Sequence, residues 1–177
     1  SSYFYSKDGN FHFDLLEQIK EFPKHSDYLN EISVNRNLAE IAKEWIPAQR
    51  KLNLKHNNST FFLKTHSTIC NVEGSHFTNK ENSLGAIYVV RDPRNVILSL
   101  SNHFDYSIEK SLEMICNKKQ IITNPTKKNR YFGFTVVSDW QNHYRTWKNC
   151  KLVEVKIVKY EDLILSPKNT FIGILNF

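Results

Sequence analysis

Apolar residues recur every three or four positions over much of the chain, which is the spacing of amphipathic helices. In the first third, this spacing predicts helices over 13–22, 38–45 and 48–55, with Pro23 and Pro47 as the breaks. Later in the chain it predicts four more helices, at 93–104, 108–116, 138–148 and from 167 onward.

Three short apolar runs lie among these helices and predict β-strands, at 61–64, 84–90 and 153–158. The run 84–90 is continuously apolar, which is typical of a parallel strand buried on both faces. The run 153–158 alternates in part, so we expect it to be less buried. Strands that alternate with helices predict βαβ units, and the sequence therefore indicates an α/β fold with a parallel sheet.

The composition is that of one globular domain of 177 residues, with 40% hydrophobic residues that include 12 Phe, 8 Tyr and 3 Trp. This supply of core material excludes disorder as the main state. No apolar run approaches the roughly 18 residues of a membrane helix, and no apolar leader opens the sequence, so we expect no membrane span. Three cysteines without paired spacing argue against a disulfide scaffold and indicate a reducing, cytoplasmic location.

The charge balance points to an anionic partner. Lys and Arg number 24 against 18 Asp and Glu, which gives a formal charge of +6. Such an excess favours nucleic acid, phospholipid or a small phosphate or sulfate compound. The excess is diffuse and consists mostly of lysine, which argues against a dedicated DNA-binding module.

Polar residues gather where each predicted strand ends. Lys64 and His66 close the first run, Arg91 follows the second, and Tyr160 comes shortly after the third. Ligands of open parallel sheets bind beyond the carboxyl ends of the strands. We therefore expect these side chains to face a common cleft.

The end of the second run has the composition of an anion site. Asp92 suits the N-cap of the following helix and Pro93 its first turn, and the N-terminus of a helix attracts anions. Arg91 adds a fork suited to phosphate oxygens, and Ser99 lies on the same polar helix face as Asn95. The alternative is that Arg91 and Asp92 form only a structural ion pair or cap.

His66 and Lys64 together could supply a general base and a cation for developing negative charge. Against this, a lone histidine is usually a surface residue or a packed core residue. A metal site built from His66, Cys70 and His76 is disfavoured, because these residues match no standard spacing and lack a fourth ligand. We expect no metal.

Four motifs occur in order along the chain: Lys-Thr-His at 64–66, Val-Val-Arg-Asp-Pro-Arg-Asn-Val at 89–96 with Ser99, Ser-Asp-Trp-Gln-Asn-His at 138–143, and Lys-Tyr-Glu-Asp-Leu at 159–163 with Pro167. Their order and spacing resemble the sulfotransferases that use 3′-phosphoadenosine 5′-phosphosulfate (PAPS). The Arg-Asp-Pro-Arg-Asn form is closer to bacterial sulfotransferase-domain proteins than to animal cytosolic enzymes.

The resemblance implies a P-loop-NTPase-like three-layer fold with a parallel sheet, in a single domain over 1–177. It implies that His66 takes the proton from an acceptor hydroxyl or amine, while Lys64 neutralises the transferring sulfonate. Arg91 and Ser99 would hold the 3′-phosphate of PAPS, and Tyr160 would lie near the adenine. The implied partner is a small-molecule or glycan acceptor, with no nucleic acid.

Two parts of the family pattern have no match in this sequence. These are the first strand with its Lys/Arg-Ser-Gly-x-Thr phosphosulfate loop, and a late Arg-Lys-Gly segment that also holds the 3′-phosphate. The resemblance therefore implies a domain truncated at both ends. We expect the 177 residues to be inactive or nearly so by themselves, and the complete gene product to be active.

Two other functions fit parts of the pattern. One is a nucleotide or small-molecule kinase on the same scaffold, which a magnesium requirement would favour. The other is a non-enzymatic module that binds RNA or anionic lipid through the basic stretch 118–130. That stretch lies within a polar segment at 117–133, which is long for a connection and suggests a lid or an insertion.

Overall fold

The computed structural model describes residues 21–22, 37–56, 60–123 and 134–177. The elements in these ranges are, in chain order, α1 (Leu38–Ala42), α2 (Trp45–Lys55), β1 (Asn71–Val72), β2 (Ser75–His76), β3 (Gly85–Val90), α3 (Pro93–Phe104), α4 (Ile108–Cys116), β4 (Ile121–Ile122), β5 (Thr135–Val136), α5 (Trp140–Lys148), β6 (Glu154–Lys159), α6 (Tyr160–Leu165) and α7 (Pro167–Leu175). The chain thus combines helices with a small parallel sheet, as expected of an α/β protein. The predicted helix at 13–22 lies outside the described residues except for its last two positions, 21 and 22.

β3 and β6 form the parallel sheet, in a register that runs from Gly85 opposite Glu154 to Val90 opposite Lys159. The predicted strands at 84–90 and 153–158 are therefore confirmed: β3 begins one residue later than predicted, and β6 begins and ends one residue later. α3, α4 and α5 lie between the two strands along the chain. Because parallel strands end at the same edge of a sheet, the residues that follow β3 and β6 become neighbours.

The expectation that β3 is buried on both faces is wrong. Ile87 is 39% exposed and Val89 is 47% exposed, whereas Tyr88 between them is half-buried against α5. Successive side chains of a strand point to opposite faces, so a helix on one face covers only alternate residues. A continuously apolar run had suggested two covered faces.

The main apolar core lies in α1 and α2 rather than around β3. Trp45 is fully buried, with its ring centroid 5.4 Å from that of Phe77 and 5.2 Å from that of Phe134. The cluster consists of aromatic and aliphatic side chains from several elements: Phe22, Ile41, Ala42, Trp45, Ala48, Leu52, Phe77 and Phe134.

The helix break near Pro47 comes earlier than the sequence predicted. α1 ends at Ala42 and α2 begins at Trp45, so Pro47 lies in the first turn of α2. A proline is tolerated there because the first-turn N–H groups have no partner within the helix. The predicted helices at 93–104 and 108–116 are confirmed, whereas α5 begins at Trp140 because Ser138 has a left-handed backbone (φ 60°).

The predicted strand at 61–64 is wrong, since only Lys64 forms a β bridge, with Glu21. The backbone N–H of Phe22 donates to the carbonyl of Lys64 at 2.8 Å. The apolar character of this run serves packing instead, because Phe61 stacks on His56 with 4.3 Å between ring centroids.

Within the polar segment 117–133, Ile121–Ile122 form β4, one strand of a two-stranded pair. β4 pairs antiparallel with β5, and the carbonyl of Gln120 accepts from the backbone N–H groups of Val137 and Ser138. Residues 124–133 lie outside the described ranges, so the expectation of a lid is not tested. Within the described ranges, every helix is too short or too polar to cross a bilayer.

Candidate functional site

Arg91 and Tyr160 meet where β3 and β6 end. The two strands finish on the paired residues Val90 and Lys159, so the next residue of each chain segment lies at the same sheet edge. The guanidinium carbon of Arg91 lies 4.5 Å from the centroid of the Tyr160 ring. This cation–π contact holds the arginine side chain at the edge of the sheet.

The guanidinium of Arg91 keeps an unused donor. Its Nε is buried and has no hydrogen-bond partner among the residues that the structure describes. A buried N–H without a partner costs about 1–3 kcal/mol, and a bound ligand is one group that can satisfy it. An anion with several oxygens would do so.

Asp92 caps α3 and binds a different arginine. Its Oδ1 accepts from the backbone N–H of Arg94 at 2.9 Å and from the Arg94 side-chain Nε at 3.0 Å. These bonds from Arg94 lower the pKa of Asp92 from 3.8 to about 2. The expected cap is confirmed. Of the structural alternative, the cap by Asp92 is therefore present, whereas the ion pair of Asp92 is with Arg94 and not with Arg91.

Ser99 lies on α3, exposed, on the same side as Asn95. In the described part of the chain, no hydrogen bond joins its hydroxyl to Arg91. The structure therefore places Ser99 on the helix that starts beside Arg91 but does not by itself bring the two side chains into contact.

Glu161 is a neighbour of this site that the sequence did not single out. Its Oε1 accepts from the backbone N–H of Asp92 at 3.5 Å, which links the start of α6 to the start of α3. Only the register of β3 and β6 brings the two positions together, so no local pattern could have revealed this contact.

His66 lies in a segment that α5 holds by its backbone. The carbonyl of Ser67 accepts from the indole Nε1 of Trp147 at 3.0 Å, and the hydroxyls of Thr68 and Thr146 share a short hydrogen bond. Ser67 and Thr68 are buried, whereas His66 is exposed. The imidazole of His66 is thus presented at the surface from a rigid backbone. Lys64, two residues earlier, is also exposed.

His143 connects this segment to β3. Its Nε2 lies 3.2 Å from the carbonyl oxygen of His66, and its Nδ1 lies 3.0 Å from the hydroxyl of Tyr88. The ring also stacks on Tyr88, with 5.5 Å between centroids. In the sequence, His143 stands out only as the last residue of the motif at 138–143, and the motif does not reveal these two hydrogen bonds.

Burial shifts the pKa values of this pair in opposite directions. It lowers the pKa of His143 below 6.5 and raises the pKa of Tyr88 from 10.0 to about 12. Removing water disfavours the charged form of each group, so both stay neutral near pH 7.

We expect the free energy of unfolding to decrease as the pH is lowered below 6.5. In that range His143 becomes protonated in the unfolded chain but stays neutral in the folded protein, where its pKa is lower. The loss grows as pH decreases and stops once the pH is below the folded pKa. Urea unfolding at about pH 7.5 and about pH 5.5, compared with His143→Gln, isolates this contribution from the other histidines. A difference between the two proteins that does not change with pH would contradict the expectation.

A metal centre finds no support in the described residues, which contain no group of three or more His, Cys, Asp or Glu side chains that could hold an ion. Of the disfavoured set, Cys70 is partly buried, and burial raises its thiol pKa to about 11.

Arg91 thus lies at the carboxyl ends of two parallel strands, beside the N-terminus of α3, which is the region where α/β proteins bind their ligands. A family model described as the sulfotransferase domain matches residues 8–177. The chain therefore belongs to the sulfotransferase domain family, which confirms the resemblance and implies a P-loop-like α/β fold. No curated protein matches the chain.

Proposed function

We propose that this protein transfers a sulfonate group from PAPS to the hydroxyl or amine of a small-molecule or glycan acceptor. Membership of the sulfotransferase domain family supports a transferase of this kind. The observation that carries the proposal is the guanidinium of Arg91, which lies on the Tyr160 ring with its buried Nε unpartnered in the described structure.

At the nucleotide end, the 3′-phosphate of PAPS is the anion that suits Arg91. A guanidinium binds phosphate oxygens through two parallel N–H bonds, and the unused Nε is one such donor. Ser99, further along α3, offers a hydroxyl to the same group, and the Tyr160 ring offers a surface for the adenine. The side chains therefore fit the donor that the family uses.

At the acceptor end, His66 removes the proton of the acceptor and Lys64 balances the negative charge that develops on the transferring oxygens. When bound, PAPS supplies the sulfonate: the acceptor atom bonds to sulfur, the bond from sulfur to the phosphate oxygen breaks, and its electron pair leaves with adenosine 3′,5′-bisphosphate. Positioning and charge stabilisation account for most of the catalysis in transfers of this type. Lys64 supplies positive charge at the sulfonate and Arg91 supplies it at the 3′-phosphate, so the proposed reaction needs no metal.

We further propose that the domain has the three-layer P-loop-NTPase-like architecture of the family, and that the 177-residue chain alone transfers sulfonate at background rate. The printed sequence contains no Lys/Arg-Ser-Gly-x-Thr loop for the 5′-phosphosulfate. Transfer by this chain well above background would contradict the second part. A cytoplasmic location is part of the proposal, and it is supported by the three free thiols of Cys70, Cys116 and Cys150.

The proposed function is tested by calorimetric titration of the chain with adenosine 3′,5′-bisphosphate. We expect saturable binding, weakened about 100-fold by Arg91→Ala, because a charge-assisted phosphate contact contributes about 1.5–3 kcal/mol. Arg91→Lys keeps the charge but loses the fork, so it should lie in between.

Arg94→Ala is the matched control, because Arg94 is an exposed arginine near the same helix start that is already paired with Asp92. It should bind the nucleotide like the parent protein. Equal weakening by the two alanine variants, or RNA binding with steep salt dependence in place of nucleotide binding, would refute the proposal.

A further inference from the structure

One face of α5 contacts three consecutive residues of the segment that carries His66, two through their backbone carbonyls and one through its side chain. The contacts come from residues three and four apart on the helix: His143 meets the carbonyl of His66, Thr146 the hydroxyl of Thr68, and Trp147 the carbonyl of Ser67. Residues with this spacing lie on one face of a helix. The segment is therefore fixed by side chains of a single rigid element.

The contact from His143 differs from the other two because it determines where a proton lies. A carbonyl oxygen can only accept, so Nε2 of His143 must carry the hydrogen that meets the carbonyl of His66. In the neutral ring Nδ1 is then an acceptor, and the hydroxyl of Tyr88 must donate to it. The two hydrogen bonds therefore form a chain with one direction: the hydroxyl of Tyr88 donates to Nδ1 of His143, and Nε2–H of His143 donates to the carbonyl of His66.

Burial maintains the protonation that this order needs. It keeps His143 neutral and Tyr88 protonated at neutral pH, as the directions of their pKa shifts show. A protonated His143 would present a second N–H to Tyr88, and the hydroxyl would have to turn away from it. Hydrogen bonds in a chain polarise one another, which makes the arrangement specific.

We propose that His143 is a positioning residue, which uses its Nε2–H to fix the backbone of His66 and its Nδ1 to tie that backbone to β3. β3 leads directly into Arg91, so the same connection sets the base relative to the nucleotide end of the site. This inference rests on the proposed function, because it assigns His143 a part in presenting the base. If the side chain at position 143 only packed on Tyr88, an aromatic ring without hydrogen-bonding nitrogens would serve equally well.

Three variants separate hydrogen bonding from packing. His143→Phe keeps a ring to stack on Tyr88 but removes both bonds, whereas the amide nitrogen of His143→Gln can replace Nε2 as the donor to His66. Thr146→Val is the matched control, since it removes another contact of α5 with the same segment and leaves His143 in place.

The first measurement is the tautomer of His143 in the nitrogen-15-labelled chain at neutral pH, from long-range proton–nitrogen correlation spectra. We expect a single Nε2–H tautomer. An Nδ1–H tautomer, or a mixture of the two, overturns the proposal whether or not the protein is a sulfotransferase.

The second measurement is sulfonate transfer by the complete gene product. We expect His143→Phe to lower kcat about 10- to 100-fold, because a small displacement of a reacting group costs that much, while KM for PAPS stays within about twofold. His143→Gln should recover most of kcat. Thr146→Val should lower Tm and should lower kcat clearly less than His143→Phe does, because Thr146 contacts the side chain of Thr68 and not the backbone of residue 66.

Equal losses in the Gln and Phe variants, or an equal loss in Thr146→Val, would show that His143 only packs and would overturn the proposal. If the parent protein transfers no sulfonate, the proposed function has failed, and the tautomer alone decides whether His143 fixes the backbone of residue 66.

Discussion

Replacing His66 with alanine is expected to lower kcat for sulfonate transfer by about 10²- to 10⁴-fold, the contribution of a positioned general base. Without the imidazole, the acceptor must lose its proton to water while its oxygen attacks sulfur. The backbone of residue 66 is held through its carbonyl by His143, so the alanine variant should keep the local structure. Binding of adenosine 3′,5′-bisphosphate should therefore be unchanged.

The measurement is steady-state transfer from PAPS by the complete gene product, with nucleotide affinity determined in parallel. His76→Ala is the matched control, because His76 is also an exposed histidine, in β2. It should retain the parent kcat. A His66→Ala variant with kcat within about threefold of the parent would remove His66 from the mechanism, since a general base contributes at least about 10²-fold.

Replacing Trp45 with alanine is expected to lower the free energy of unfolding by about 3–5 kcal/mol, enough to unfold a large share of a marginally stable domain. Trp45 is fully buried at the centre of the core and contacts the rings of Phe77 and Phe134. Its loss removes apolar contacts and leaves a cavity that the aromatic neighbours cannot fill. Urea unfolding followed by circular dichroism measures the effect.

Trp140→Ala is the control for this substitution. Trp140 is half-buried at the start of α5, where it stacks on Tyr144 with 5.8 Å between centroids. The cost there should be about 1–2 kcal/mol, because less surface returns to water and no closed cavity forms. Equal losses in the two variants would mean that the core around α1 and α2 does not dominate stability.

The position of the proposed anion site could be predicted from the chain alone. The apolar runs that became β3 and β6, the arginine after one and the tyrosine after the other, and the rule for parallel strand ends were sufficient. The contact between Arg91 and Tyr160 follows from them. The helix that begins at Pro93 could also be predicted, because its cap is a local contact. Asp92 accepts a hydrogen bond from the backbone N–H of Arg94, two residues later.

The burial of each strand face could not be predicted in the same way. A run of apolar residues indicates only that the segment can form a strand, not that both of its faces are covered. Val89 belongs to such a run and is nonetheless 47% exposed. Which face is covered depends on where α5 packs, and this is a property of contacts between segments that are far apart in sequence. The failed strand at 61–64 has the same cause, because a strand needs a partner that its own residues do not specify.

The sequence by itself determined the family, the α/β character and the residues of the proposed site, because each depends on local spacing or on motifs read in order. Only the tertiary structure decided that Arg91 retains an unused donor and that His143 connects Tyr88 with the carbonyl of His66. Hydrogen bonds join particular atoms at about 3 Å, and a pattern of residue types along the chain does not specify which distant atoms come that close.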